Sequence, residues 1–284
     1  MALPLSLNTN VPALQALREL SDTNLDLQEV QNRVSTGKKV RSAEDNAATF
    51  AISRNLEADF QGFNAVGQSL DRANAALDIA ITSAESIQDI LIEMKEKVVA
   101  ASDQGLDTQS RTSLNLDFQG LRDQIGTIVN NAEFNGTNLI DDGDDFVSAI
   151  ASPDAQETIT AAHQTLELSP NATVSAGNQI TFTAGAGFTT AADAQALLTA
   201  IDQSIENLSV VLTEFGSAAS TIDRQQVLTQ EVQDTIEVGI GNLVDANMAR
   251  ESARLQALQV QQQLGSQSLS IANQTPQIIL GLFN

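Results

Sequence analysis

The chain has 284 residues, a formal net charge of −22, one histidine and no cysteine, tryptophan or tyrosine. Absent cysteine excludes disulfides, thiolate metal sites and cysteine nucleophiles, and a single histidine excludes a multi-histidine metal centre. The acidic balance excludes a phosphate-binding surface of clustered Lys and Arg, and hence nucleic acid as a partner, while no apolar run approaches the ~18–20 residues of a membrane span.

Charge is unevenly spread. No side chain is charged from Met1 to Leu17 or from Leu255 to Asn284, and no Lys or Arg lies between Arg122 and Arg224. This pattern predicts that the two apolar ends are buried together and that the polyanionic centre faces water. The first basic residue is Arg18, so a charged secretory leader is not expected.

Taken in chain order, Leu14, Leu17, Leu20, Leu27, Val30 and Val34 recur at helical spacing and predict a coiled-coil stripe over Val11–Ser35. Gly37 is a natural helix stop. Ser42-Ala43-Glu44-Asp45 resembles a capping box, and a very long helix is expected from there to about Ser102. A second helix, Asp107 to about Asn131, carries Leu114, Phe118, Leu121, Ile125 and Ile128 on one face and should fold back along the first.

The texture then changes. Phe134-Asn135-Gly136-Thr137 reads as a turn. Strands are expected at Glu157–Thr160 and Gln179–Thr183, within a small β region. Helix resumes near Ala191, Gly239-Ile240-Gly241 marks a break, and a last amphipathic helix runs from Asp245 to about Ala272, with Pro276 ending regular helix. The fold class expected is mainly α: a long antiparallel helical bundle or coiled coil with a small β-hairpin region at its tip.

Chemistry is sparse. The acidic run Asp141–Asp145 lacks the spacing of a calcium loop. The glycine-rich Ala184–Phe188 is not followed by the Lys of a phosphate cradle, and no H-E-x-x-H occurs. No catalytic, cofactor-binding or metal-binding residue is assigned, and no enzymatic activity is expected.

Four stretches carry a resemblance. They are Ser6-Leu7-Asn8-Thr9-Asn10 with Ala13-Leu14, then Arg33-Val34-Ser35-Thr36-Gly37-Lys38-Lys39-Val40-Arg41-Ser42-Ala43-Glu44-Asp45-Asn46-Ala47-Ala48, then Phe134-Asn135-Gly136, and finally Ala272-Asn273-Gln274-Thr275-Pro276-Gln277 leading into Leu280-Gly281-Leu282-Phe283. The second is similar to the signature R-[LV]-S-[ST]-G-x-x-[IV]-x-S-A-x-D-[DN]-A-A, and the whole resembles bacterial flagellin of a short, alphaproteobacterial-like type.

The resemblance implies an inner coiled-coil domain of residues 1–36 with 245–284, linkers at 37–44 and 239–244, a helical rod of 45–140 with 190–238, and a short outer β region at 141–189. It implies a structural subunit that polymerises helically into the flagellar filament for swimming, alone or mixed with other flagellins. It also implies unfolded export through the flagellar type III apparatus to the outside of the cell. The expected partners are further copies, an export chaperone, and hook-associated and cap proteins. Leu14, Leu17, Val30, Val34, Leu255, Leu258, Leu269, Ile278, Ile279, Leu282 and Phe283 are the expected polymerisation residues. Glu93 and Lys97 stand where flagellins seen by the vertebrate innate receptor carry Arg and Leu, which marks them as receptor-evasion candidates. Alternative readings are a hook–filament junction protein and a cytoplasmic coiled-coil scaffold.

Overall fold

A computed structural model describes residues 10–169 and 177–281, with side chains in the last helix described as far as residue 274. Five helices carry the chain: α1 (Val11–Thr36), α2 (Ala43–Ala101), α3 (Thr108–Asn131), α4 (Ala191–Val244) and α5 (Met248–Gly281). Among the described residues, four short strands lie between α3 and α4: β1 (Glu133–Phe134), β2 (Thr137–Asn138), β3 (Val147–Ile150) and β4 (Thr158–Ala161). The chain divides into a terminal unit, Met1–Ala58 with Ile236–Asn284, and a central unit, Asp59–Thr235. Among the described residues, no helix is long and apolar enough to cross a membrane.

Helix ends in the terminal unit follow local chemistry. Asn10 caps α1, its Oδ1 accepting from Ala13 N at 3.2 Å, and α1 stops at Gly37. The left-handed backbone there (φ 71°) suits glycine, and its N–H donates to Arg33 O at 2.9 Å. The Asp45 carboxylate accepts from the backbone N–H groups of Arg41 and Ser42 at 2.8 and 3.2 Å. This is the reaching-back half of the expected capping box. At the next residue, Asn46, the path leaves helical geometry, and its Oδ1 accepts from Thr49 N at 3.0 Å as a second cap.

Two expected interruptions fall elsewhere. α4 continues through Gly239-Ile240-Gly241 to Val244, and the break lies at 245–247. Helical glycine costs only about 1 kcal/mol, which tertiary packing can override. The displaced break is tied to the one after α1: Lys39 N donates to Val244 O at 2.7 Å, and Ala246 N donates to Gly37 O at 2.8 Å. Nor does Pro276 end the last helix, since α5 runs to Gly281. Proline has no N–H to offer the carbonyl four residues back, Ala272 O. Asn10 Nδ2 donates to that oxygen instead, at 2.9 Å.

The central unit has one continuous apolar core. Leu70, Leu77, Ile87, Leu91 and Met94 of α2 meet Phe118, Ile125 and Val129 of α3 and Ile201, Leu208 and Phe215 of α4, all buried. Arg111 closes the α2–α3 turn, its guanidinium donating to the carbonyls of Ala101, Asp103 and Leu106. Asp107 caps α3. Its bonds from Ser110 and the backbone hold its carboxyl below the ordinary range. β1 and β2 pair antiparallel around Asn135 (φ 51°) and Gly136 (φ 85°), the two positive φ values that a tight hairpin needs.

The segment between the hairpin and α4 adds to this core. β3 and β4 pair antiparallel, Val147 opposite Ala161. β4 matches the expected strand, whereas β3 was not foreseen. Gln179–Thr183 does not form a strand: Thr183 makes an isolated bridge with Ser169, Gln179 N donates to Thr165 O, and side chains of α4 take up part of the remaining backbone. Ser204 Oγ accepts from Thr181 N at 2.9 Å, and Asn207 Nδ2 donates to Gln179 O at 3.0 Å. Leu166, Ile180, Phe182 and Phe188 are buried here, and the Phe118 ring lies 5.6 Å from Phe188 and 6.3 Å from Phe182 between centroids. The region expected to face water thus contributes much of the aromatic mass of the core.

Candidate assembly surface

The terminal unit is built on α1 and α5, which pair antiparallel. Asn10 meets Ala272, Gln262 Nε2 donates to Asn24 Oδ1 at 2.6 Å, and Arg33 lies 3.7 Å from Glu251. The seam on α1 follows Ala13, Ala16, Leu20, Thr23, Leu27, Val30 and Val34, residues withdrawn from solvent in steps of three and four. The facing row on α5 runs Glu251, Leu255, Leu258, Gln262, Gly265, Leu269 and Ala272. These are the a and d rows of a heptad pattern.

The seam is narrow. Only Leu27, Val30 and Leu258 form its buried apolar centre, with Val34 and Leu255 packed partly against them. Small residues bring the backbones close elsewhere: a Cβ on Gly265 would stand 3.2 Å from Leu20 Cδ1. Glu251 is buried in this seam, with its Oε2 lacking a hydrogen-bond partner among the described residues.

The sequence-predicted residues separate into three groups. Val30 and Leu258 are buried, and Val34, Leu255 and Leu269 are half-buried in the seam. Leu14 and Leu17 are not in it. They are 47% and 52% exposed, because the alanines one position before each take the inward places. Val11, Leu25, Val260, Leu264 and Ile271 are likewise exposed. The side chains of Ile278 and Ile279, and the whole of Leu282 and Phe283, lie outside the described residues. In the central unit Glu93 is exposed, and Lys97 is half-buried with its Nζ 3.9 Å from Glu96.

Asn10 is the functional residue that leucine counting missed. It caps one helix and supplies the donor missing from the other. Its signal was present in the sequence: an Asn immediately before Val11-Pro12 is a helix-start signature. Two of the four quoted stretches therefore touch through this one side chain.

Electrostatics divide the units sharply. The terminal unit carries ten acidic and eight basic residues, net −2; the central unit carries twenty-six and six, net −20, which together give the chain's −22. In the acidic loop, Asp141 Oδ1 accepts from Gly143 N at 2.9 Å and lies 3.2 Å from His163 Nε2, while Asp145 accepts from Asn138 N. Nearby, burial and then the charges of Asp142 and Asp141 push the Glu167 carboxyl above its ordinary range. Among the described residues, no group of His, Asp and Glu is arranged to hold a metal. The chemistry this architecture offers is association: an almost neutral two-helix hairpin that keeps large apolar side chains on its outside.

Comparison with known proteins agrees. The bacterial flagellin N-terminal helical region matches residues 7–144, and the bacterial flagellin C-terminal helical region matches residues 198–283. Flagellin FljM of Caulobacter vibrioides is 42% identical over 279 residues, covering 98% of each chain. A flagellin of Brucella melitensis is 35% identical, covering 98% of this chain and 99% of its own. A solved structure from Vibrio parahaemolyticus, described as a flagellar hook-associated protein, shares the fold with a TM-score of 0.56. At 17% identity it covers 71% of this chain and 100% of its own.

Proposed function

The chain belongs to the bacterial flagellin family and is a structural subunit of the flagellar filament, and on that premise we propose that its terminal hairpin is the element through which it polymerises. The observation that carries this reading is the outward placement of Leu14, Leu17, Leu264 and their neighbours on a nearly neutral two-helix unit. Burying that surface against other copies is favourable at about 25 cal/mol per Å² of apolar area. A hairpin with so small a core gains most of its stability in the polymer. Val30, Val34, Leu255, Leu258 and Leu269 hold the hairpin together, while Leu14 and Leu17 face the neighbours. Ile278, Ile279, Leu282 and Phe283 extend the same uncharged end.

In this reading residues 1–36 with 245–284 form the inner domain, and the linkers lie near 37–44 and 239–244. Residues 45–140 with 190–238 form the rod, and 141–189 form the outer region. The subunit leaves the cell unfolded through the type III apparatus, with an export chaperone holding its apolar C-terminal end. It then joins hook-associated proteins, cap proteins and further copies outside the cell, and it has no catalytic role.

Removing residues 255–284 is expected to abolish filaments seen by electron microscopy while the central unit keeps its helical circular dichroism; normal filaments from the truncated chain would overturn the assignment. Glu93 on an exposed face reverses the charge a receptor would meet there, a change worth several kcal/mol at an interface centre. Monomeric protein is therefore expected to activate receptor-bearing reporter cells weakly, and full potency would reject the role given to Glu93 and Lys97.

A further inference from the structure

The heptad rows give the hairpin two unlike sides. With Ala13 and Leu20 at a and Ala16 and Thr23 at d, Leu14 falls at b and Leu17 at e. On α5, Leu255 and Gln262 at a and Leu258 and Gly265 at d place Leu264 at c. In an antiparallel pair the e rows of the two helices flank one side and the g rows flank the other. Arg254 and Asp26, both at g, lie 3.6 Å apart, as this pairing requires. Leu14 and Leu17 therefore sit on the e side, and Leu264, with Ile271 one heptad on, sits on the g side.

Charge separates the same two sides. No b or e position of either helix between Asn10 and Gln274 carries a charged residue. The c and g positions carry Glu19, Asp22, Asp26, Glu29 and Arg33 on α1 and Arg250 and Arg254 on α5. An uncharged face with two exposed leucines thus backs onto a charged face interrupted by one apolar patch. The patches share a level along the hairpin: Asn10 is bonded to Ala272, and Leu20 packs at Gly265. Leu14 and Leu17 hence lie across from the stretch that Leu264 and Ile271 bracket.

We infer that the hairpins stack copy on copy, the Leu14–Leu17 patch of one chain lying on the Leu264 patch of the next. The inference rests on the filament reading and adds its direction and its contacting residues. Each copy presents a patch on one side and a matching patch on the other, at the same level. The contact is therefore heterologous and can repeat without limit. A two-fold dimer through either side would leave the other patch in water. A displacement across the hairpin brings the patches together without sliding along the helices, and the uncharged face sets no like charge against the neighbour's Glu19 and Asp22.

The cysteine-free chain permits a direct test. Leu17→Cys and Leu264→Cys are made as separate variants, assembled alone and as an equal mixture, then oxidised and run without reductant. Disulfides form only where Cα atoms come within about 7 Å. A covalent dimer is expected in the mixed filaments and lost in filaments of either variant alone. Dimers in Leu17→Cys filaments alone would show a two-fold contact. Mixed filaments without dimers would show that another part of the chain, such as its own terminal residues, covers the leucines. Either result overturns the inference while leaving the filament reading intact. Should Leu17→Cys not assemble, Leu14→Cys takes its place. Failure of the unsubstituted chain to form filaments would instead sink the filament reading and this inference with it.

Discussion

The two units solve different problems with similar helices. The central unit buries thirty-three apolar residues in one core and keeps its charges outside. Among its described residues, the terminal unit has an apolar cluster of only three buried side chains, Leu27, Val30 and Leu258, and it leaves leucines in solvent. Yet the terminal unit is nearly neutral, while the central one carries almost all of the chain's negative charge. Its long helices do not make a region self-sufficient; the width of the stripe they bury does. A narrow seam between near-neutral helices is stable enough to set a shape and too small to complete a core, whereas a charged, fully packed unit is complete as a single chain.

The strongest challenge to this contrast is Phe118→Ala. The ring is buried against Phe182 and Phe188, so its loss should cost the central unit about 3–5 kcal/mol. Denaturant melts followed by circular dichroism would register it as a fall in the main transition. An unchanged midpoint would mean that the central core is not the cooperative unit.

Asn10→Ala is the matching test at the other end. It removes a cap and leaves Ala272 O without its donor, at about 1–2 kcal/mol. The effect should be confined to faster amide hydrogen exchange in α1 and α5, with the main melt unmoved. Loss of protection throughout α2 and α3 would erase the distinction between the units.

The smallest effect concerns Glu167. Its raised pKa means that the folded chain holds this proton more tightly than the unfolded one. Its contribution to stability therefore increases as pH falls through the raised value toward the ordinary glutamate range, and at neutral pH it is a penalty. Glu167→Gln should raise the melting temperature slightly at pH 7 and leave it unchanged near pH 4. The reverse order would show that neither burial nor the neighbouring Asp142 and Asp141 governs it.

Most of the helical plan was legible, because amphipathic periodicity is a strong local signal. α1 and α3 fall within a residue of their expected starts and stops. The missed features all depended on partners distant in sequence. Leu14 and Leu17 looked like part of the seam of α1, but their places in it belong to Ala13 and Ala16, since small residues allow α5 to approach. Gly239 and Gly241 looked like a break, but the backbone bonds at Val244 and Ala246 place it later. Gln179–Thr183 alternates like a strand, yet its backbone bonds are divided among Thr165, Asn178 and the side chains of Ser204 and Asn207. Pro276 should have stopped a helix, and the donor that satisfies the Ala272 carbonyl in its place is Asn10, 262 positions from Ala272.

That separation also sets a clock. α1 is made long before α5, the helix that covers it. At a synthesis rate of about 5–20 residues per second, Asn10 waits tens of seconds for the carbonyl it will bond. Closing so long a loop from an unfolded chain is entropically costly, but the central unit can fold during the wait. Its two chain ends are then held by the 3.0 Å bond between Asn64 and Gln233. α1 is thus buried long after it is made, and throughout that interval its apolar face is open to whatever else in the cell can read it.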